Sequence, residues 1–377
     1  MTISILYVVN EARVFLSHRL PVARAAAKVG YEVHVAAPPD ENAQRRIESE
    51  GFIFHAITLT RRGVNPLVEW KGLLSIFRLY RRLKPTLIHH VTTKPVIYGG
   101  VAARLAGMSA VISAITGLGY VFIAQGNKAR LLRDVVLFLF RLALGHRNTW
   151  VIFQNPEDQQ LLQQFGVVTP HQAVLIRGSG VDMEEFCPSP EPLGVPVVVL
   201  ASRMLWDKGI GEFVEAARNL KAKGTAARFV LVGDPDTGNP ATIPREQLQA
   251  WNSDGVVEWW GRREDMPEIF AKAHIVCLPS YREGVPRVLI EASACGIPIV
   301  TTDVPGCREI VKNEVNGLLV PMRDAAALEE ALHRLIGDAE LRRSMGLRGR
   351  EVAIAEFSAE HVAAETLLIY RQALSAI

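Results

Sequence analysis

The chain predicts an α/β protein made of two doubly wound, parallel-sheet domains. Three observations carry this reading: short apolar, β-branched runs alternate with helical patterns, a proline-rich stretch breaks the alternation near the middle, and the alternation then restarts. A length of 377 residues suits two domains. Hydrophobic residues make up 49% and charged residues 21%, a balance that fills sizeable cores and excludes a disordered chain.

In the first half, strands are expected at 3–9, 31–37, 52–57, 87–92, 111–115, 149–154 and 173–177. Most are continuous apolar runs, as in a sheet covered on both faces. Helical periodicity lies between them, at 18–29, 41–50, 67–83, 94–106, 128–144 and 156–165. Residues 179–196 (SGVDMEEFCPSPEPLGVP) then carry four prolines and little apolar periodicity, a linker composition. Strands resume at 196–201, 228–232, 256–260, 274–279 and 298–302, with helices at 210–222, 265–272, 287–295, 307–312 and 325–335. Ser358 to Ile377 reads as one last amphipathic helix. The two domains are therefore expected at 1–185 and 186–357. Two such domains facing each other leave a deep cleft at the carboxyl ends of their sheets, where ligands bind.

The net charge of +3 hides an asymmetry: residues 1–190 hold 21 Lys and Arg against 13 Asp and Glu, and the remainder 21 against 26. The basic half points to an anionic partner (phospholipid, a polyprenyl diphosphate or nucleic acid) or to solvated surface charge. Cys187, Cys277, Cys295 and Cys307 form no CxxC pair, so free core thiols in a reducing cytosol are expected. The start of the chain lacks a basic n-region and reads as a buried strand. No apolar run reaches the ~18–20 residues that cross a bilayer. The nearest, 131–145, is broken by Arg133, Asp134 and Arg141.

Three strand-to-helix turns of the second half carry the chemistry. SRMLWDKG at 202–209 supplies Arg203 and Lys208. A second turn holds Gly233. The third is REGVPRVLIEASACGIPIV at 282–300, in which Glu283 and Glu291 bracket Gly284, Val285 and Pro286. Two cations neutralise a diphosphate without a metal. The helix opening near Val285 and Pro286 adds N–H groups and a dipole of roughly half a charge at its start. Gly284 allows close backbone approach. Glu291, on the helix, suits ribose hydroxyls, and Glu283, before it, suits hydroxyls of a transferred sugar. On residue types alone, Arg203 and Lys208 also fit ordinary surface charges, and Glu291 a solvated helix position.

The Glu283-x7-Glu291 spacing, the following A-x-A-x-G-x-P-I-V pattern and SRMLWDKG together resemble the retaining glycosyltransferases of GT-B architecture, family four. The resemblance covers almost the whole chain. It implies that Glu283 contacts the donor sugar, Glu291 the nucleotide ribose, and Arg203 and Lys208 the diphosphate. It also implies that backbone near Gly261 and Arg262 meets the base, and that the terminal helix after Phe357 returns to the first domain. HHVTTKP at 89–95 and GLGYVF at 117–122 are similar to a narrower group, bacterial N-acetylgalactosaminyltransferases acting on undecaprenyl-diphosphate-linked sugars. Many members of the broad family place a histidine before the glycine of the fifth-strand turn; this chain has Thr116 before Gly117, and that histidine's role does not carry over.

Acceptor contacts are expected in the first domain from His18 and Arg19 in the loop 10–19, from His90 and Lys94, and from Thr116 and Gly117. The implied reaction is retaining transfer from a UDP-sugar to a polyprenyl-diphosphate-linked sugar, with no cofactor, no metal and no nucleic-acid partner. Segment 128–147, with Lys128, Arg130, Arg133, Arg141 and Arg147 among Leu, Val and Phe, fits either a helix lying on an anionic membrane or a core helix with charged ends. Segment 67–85 is similarly basic, with Trp70 as an interfacial ring. The expected location is cytoplasmic, on the inner face of the cell membrane. Asp234-Pro235-Asp236 matches a DxD metal motif but falls in a GDPDTGNP turn, where such residues are common. The rival activities are a UDP-sugar 2-epimerase of the same architecture and a catalytically silent nucleotide-sugar-binding scaffold.

Overall fold

A computed structural model describes residues 3–60, 65–118, 122, 126–146 and 148–376, with backbone alone at 127–129. The chain divides into two units, Met1–Gly180 with Ala359–Ile377, and Val181–Ser358.

The first unit starts β1(Ser4–Val8), α1(Ala12–His18), α2(Leu20–Lys28), β2(Glu32–Ala37), α3(Glu41–Ser49), β3(Ile53–Ala56) and α4(Pro66–Leu83). It continues β4(Leu87–Val91), a π-helical turn at Pro95–Gly99, α5(Gly100–Ala106), β5(Val111–Ile115), α6(Asn127–Leu144), β6(Thr149–Phe153), α7(Pro156–Gln164) and β7(Ala173–Leu175). All seven strands pair in parallel, in the order β3-β2-β1-β4-β5-β6-β7. Local signals fix several starts. Asp40 accepts from the Ala43 N–H at 3.1 Å, and Asn155 accepts from Asp158 at 2.8 Å ahead of Pro156. Alternation along the strands sends Tyr7, Val9, Ile112 and Ala114 to a core with α1, α2 and α3. It sends Leu6, Val8, Val111, Ile115 and Val151 to the opposite face, under α4, α5 and α6.

The second unit runs β8(Val197–Ala201), a 3-10 turn at Trp206–Lys208, α8(Ile210–Ala222), β9(Arg228–Val232), α9(Arg245–Ser253), β10(Glu258–Trp259) and α10(Met266–Phe270). Then come β11(Ile275–Leu278), α11(Arg287–Ala294), β12(Ile299–Thr302), α12(Cys307–Ile310), β13(Gly317–Val320), α13(Ala325–Gly337) and α14(Ala339–Phe357). Its parallel order is β10-β9-β8-β11-β12-β13. The chain then re-enters the first unit as α15(Ala359–Ser375), whose Val362, Leu367 and Tyr370 join the core that α2 covers.

Both sheets therefore reverse direction of strand order at one place, between β1 and β4 and between β8 and β11. Doubly wound sheets bind ligands outside the strand ends at such switch points.

Several elements depart from the sequence reading. Residues 10–19, expected as a loop, contain α1. The strand expected at 256–260 is only Glu258–Trp259, and α9, β13 and α14 were not expected at all. The expected 94–106 helix begins with a π turn. Cys277, Cys295 and Cys307 are buried, but Cys187 is an exposed thiol rather than a core one.

Candidate functional site

In the second unit, the loops leaving β8 and β11 are fastened together. Gly209 closes the Trp206–Lys208 turn at φ 71°, and a Cβ there would lie 2.0 Å from the Pro279 carbonyl oxygen, so only glycine fits. The Asp207 carbonyl accepts from the Tyr281 N–H at 2.9 Å and from Ser280 Oγ at 3.3 Å. Thr301 Oγ1 donates to the Leu278 carbonyl at 2.6 Å, and Thr302 Oγ1 to that of Ser280. This clamp brings together two residues far apart in sequence: Lys208 Nζ donates to Glu283 Oε1, and both side chains are largely buried.

The turn after Glu283 is shaped from below. Gly306 has φ 83°, and a Cβ there would meet the carbonyl oxygens of Gly284 at 2.0 Å and Glu283 at 2.8 Å. Pro286 is the N-cap of α11 and Val285 is buried. Among the described residues no side chain caps α11. Pro286, expected at the helix opening, is thus the residue just before the first turn, and it brings no side-chain acceptor to the helix start. Glu291 is 8% exposed and accepts from Arg287 Nε at 2.6 Å. Burial raises its pKa while Arg287 pulls the other way. It is a held, desolvated carboxylate and not a solvated helix residue.

Arg203 directly follows β8 and Ser202. It is half-exposed and donates to Asp236 Oδ2 at 2.6 Å. Gly233, with φ 137°, donates its N–H to Gly261 at 2.8 Å, and a Cβ would lie 1.8 Å from the Ser202 carbonyl oxygen. The backbone of the three strand ends is therefore in close contact here. Arg262 turns outward to Glu264 at 3.0 Å. Both carboxylates of the DPD turn face arginines: Asp236 faces Arg203, and Asp234 lies 3.6 Å from Arg245. Among the described residues no group of three or more His, Cys, Asp or Glu is placed to hold a metal ion.

Sequence reasoning missed the role of Asp236 as the partner of Arg203. It also missed Tyr281, which donates to Glu212 at 2.6 Å and lies under Arg323 at 4.6 Å. Burial, with Glu212, pushes the Tyr281 hydroxyl up to about 12. An aromatic next to Arg282 and Glu283 was the available signal.

In the first unit the expected acceptor residues separate into two groups. Lys94 follows β4 and donates to Glu69 at 2.7 Å and to Thr60 Oγ1 at 3.2 Å. Thr116 and Gly117 follow β5, half-buried, with Gly117 at φ 134°. His18 ends α1, its Nδ1 2.6 Å from Ser17 Oγ. The other two sit deeper than expected. Arg19 is 2% exposed, among Tyr7, His89 and Tyr370, and its Nε and Nη2 have no hydrogen-bond partner among the described residues. His90 is fully buried, 2.8 Å from the Tyr80 hydroxyl and 3.4 Å from Ser113 Oγ. Burial lowers its pKa to about 3, so it is a neutral core imidazole. The β4 pleat turns His89 and His90 into the cores on either face, whereas Arg19 is buried at the junction of α1 and α2. Gly119, Tyr120 and Arg147, and the side chain of Lys128, lie outside the described residues.

Comparisons with known proteins agree with this layout. Residues 195–338 match the family model for glycosyl transferases group 1, and residues 4–155 match that for glycosyl transferase 4-like domains. The N,N'-diacetylbacillosaminyl-diphospho-undecaprenol alpha-1,3-N-acetylgalactosaminyltransferase of Campylobacter jejuni is 30% identical over 94% of this chain and 97% of that protein. A UDP-Gal:alpha-D-GlcNAc-diphosphoundecaprenol alpha-1,3-galactosyltransferase of Escherichia coli is 26% identical over 74% of this chain and 73% of its own length. Among solved structures, the sucrose-phosphate synthase of Thermosynechococcus elongatus superposes with a TM-score of 0.82 at 21% identity, covering 99% of this chain and all of that one. Anabaena HepE in complex with UDP and glucose gives 0.78 at 19%, covering 97% and 99%. At these identities the two structures establish the shared fold.

Proposed function

The chain belongs to the group 1 glycosyltransferases, and from that premise we propose that it moves a hexose or N-acetylhexosamine from a UDP-sugar to a polyprenyl-diphosphate-linked saccharide, with retention of anomeric configuration. The observation that carries the donor half is the clamp that joins Lys208 to Glu283 beside the uncapped start of α11.

In this reading the donor diphosphate replaces the carboxylates as partner of Arg203 and Lys208. Each cation is already positioned, by Asp236 and Glu283 respectively, so little reorganisation is needed. Glu283, released from Lys208, accepts hydroxyls of the sugar. Glu291, oriented by Arg287, accepts those of the ribose. The bond from the anomeric carbon to the diphosphate oxygen breaks, and UDP leaves with the electron pair. The two cations and the dipole of α11 stabilise that charge. The acceptor oxygen bonds to the anomeric carbon on the same face, and its proton passes to the leaving phosphate. No protein nucleophile is required. The ion pairs of Asp234 and Asp236 with arginines favour a metal-independent reaction; activity that survives EDTA supports this, and loss restored by Mg²⁺ overturns it.

The acceptor is assigned to the first unit, with contacts from His18, Lys94, Thr116 and Gly117, and with Arg19 and His90 behind them. The anionic membrane surface is assigned to the same unit. Leu131, Leu132, Val135, Phe138 and Leu142 form an exposed apolar stripe along α6, beside Arg130 and Arg141. That is the composition of a helix lying in the interface. Among the described residues no helix is long and apolar enough to cross a membrane.

UDP release, measured with and without membrane lipid extract, tests the activity. Release that depends on the extract is expected. Sugar epimerisation without release would identify an epimerase, and neither would identify a silent scaffold.

A further inference from the structure

The outer side of α4 forms a basic groove that the transfer reaction does not use. Lys71, Ser75, Arg78 and Arg82 stand at i, i+4, i+7 and i+11, one stripe of the helix. Together with Ala56 and Thr58, leaving β3, they line a cavity of about 600 Å³. The cavity is built by a close approach: a Cβ at Gly72 would lie 2.7 Å from the Thr58 carbonyl oxygen, so glycine lets α4 press against that segment. The Thr58 N–H then donates to Ser75 Oγ at 3.3 Å, which leaves the serine hydroxyl hydrogen directed elsewhere.

The charge of this groove is not compensated. Among the described residues no carboxylate pairs with Lys71, Arg78 or Arg82. The one acid of α4, Glu69, is held by Lys94 and Thr60. Arg78 and Arg82 form a like-charge i,i+4 pair, which by itself disfavours the helix. A bound anion turns that cost into a gain, since two guanidinium forks grip a phosphate in fixed geometry.

The surroundings indicate what carries the phosphate. Leu67 and Trp70 (63% exposed) stand at the start of α4, next to Lys71. α4, α5 and α6 lie side by side over one face of the sheet, with Gly100 of α5 seated against Ala143 of α6. The groove and the apolar stripe of α6 thus lie on helices that cover the same face of the sheet. An interfacial tryptophan beside clustered cations is the pattern of a lipid-facing surface.

We propose that the α4 groove binds the phosphate of an anionic phospholipid headgroup, with Lys71, Arg78 and Arg82 as ion partners and Ser75 Oγ as a hydrogen-bond donor. The proposal deepens the membrane reading given above and rests on it for the source of the ligand.

The test is calorimetric titration of the full chain with soluble dihexanoyl-phosphatidic acid, below its micelle concentration, in parallel with dihexanoyl-phosphatidylcholine and inorganic phosphate. Saturable binding of the phosphatidic acid is expected, weakened about tenfold or more in Arg78→Ala/Arg82→Ala, with UDP binding unchanged in that variant. No saturable binding, or equal affinity in wild type and variant, overturns the site. Inorganic phosphate binding as tightly as the lipid overturns the headgroup as its occupant. Because the titration uses no bilayer, it separates failure of the groove from failure of membrane docking, which vesicle flotation reads independently.

Discussion

His90 offers the sharpest quantitative test of how the first unit is built. Its ring is fully buried and its pKa is lowered to about 3 by burial, against 6.5 for an exposed histidine. The unfolded chain therefore takes up a proton near pH 6.5 that the native state refuses until about pH 3. Stability contributed by the neutral ring is fully present above pH 6.5 and declines as the pH falls through this window. From these two values, acidification from pH 8 to pH 5 removes about 2 kcal/mol through His90 alone. With a urea slope of roughly 3 kcal/mol per molar, the midpoint moves down by about 0.7 M. His90→Gln keeps an amide within reach of the Tyr80 hydroxyl but does not titrate. It should lose that share of the acid dependence, while His89, also held neutral by burial, contributes equally to both proteins and cancels. Urea unfolding of wild type and variant at pH 8, 6 and 5 measures the difference. The acceptor KM of the variant is expected to stay unchanged. An identical acid slope in the two proteins would refute the buried, neutral assignment, and a selective rise in acceptor KM would return His90 to the acceptor site.

Three further outcomes follow from the same geometry. Lys208→Ala is expected to lower kcat by about 10²–10³, as loss of one preorganised charge-stabilising donor does, with the fold retained; steady-state UDP release checks it. Gly306→Ala introduces a Cβ 2.0 Å from the Gly284 carbonyl oxygen at a φ of 83°, so it should destabilise the second unit by about 1–3 kcal/mol and weaken donor binding, read by denaturation and by UDP titration. Phe138→Asp places a charge on the exposed stripe of α6 and should abolish flotation with anionic vesicles while leaving turnover of a water-soluble acceptor analogue intact; undiminished flotation would contradict the membrane assignment.

Much of the architecture was legible because buried parallel strands are continuous apolar runs, and β8 and β11 are apolar and buried at every residue. α14 escaped notice for a local reason. Its Gly346 and Gly349 read as helix breakers, yet both are packing contacts: a Cβ at Gly346 would lie 2.0 Å from the Gly296 carbonyl oxygen, and one at Gly349 would meet Ser293. β13 is four residues long and begins at the glycine of Asn316-Gly317, too short for alternation to register. α1 was hidden because its start, Glu11, makes no side-chain cap. Arg203, Lys208, Glu283 and Glu291 of the candidate site could be singled out from residue type and spacing alone. Their partners could not: Asp236 meets Arg203 through a turn 33 residues away. The burial of His90 was also invisible, because a polar residue in a strand carries no mark of which way the pleat turns it, and that of Arg19 because it stands at the α1–α2 junction, in a segment that reads as a loop.

The second unit is expected to hold a nucleotide sugar at the ends of β8 and β11. A crystal structure of the protein with a UDP-sugar measures this directly. The diphosphate is expected within hydrogen-bond distance of Arg203, Lys208 and the first-turn N–H groups of α11, with the ribose on Glu291. A diphosphate bound at any other strand end, with the Lys208–Glu283 pair intact beside it, would contradict the account.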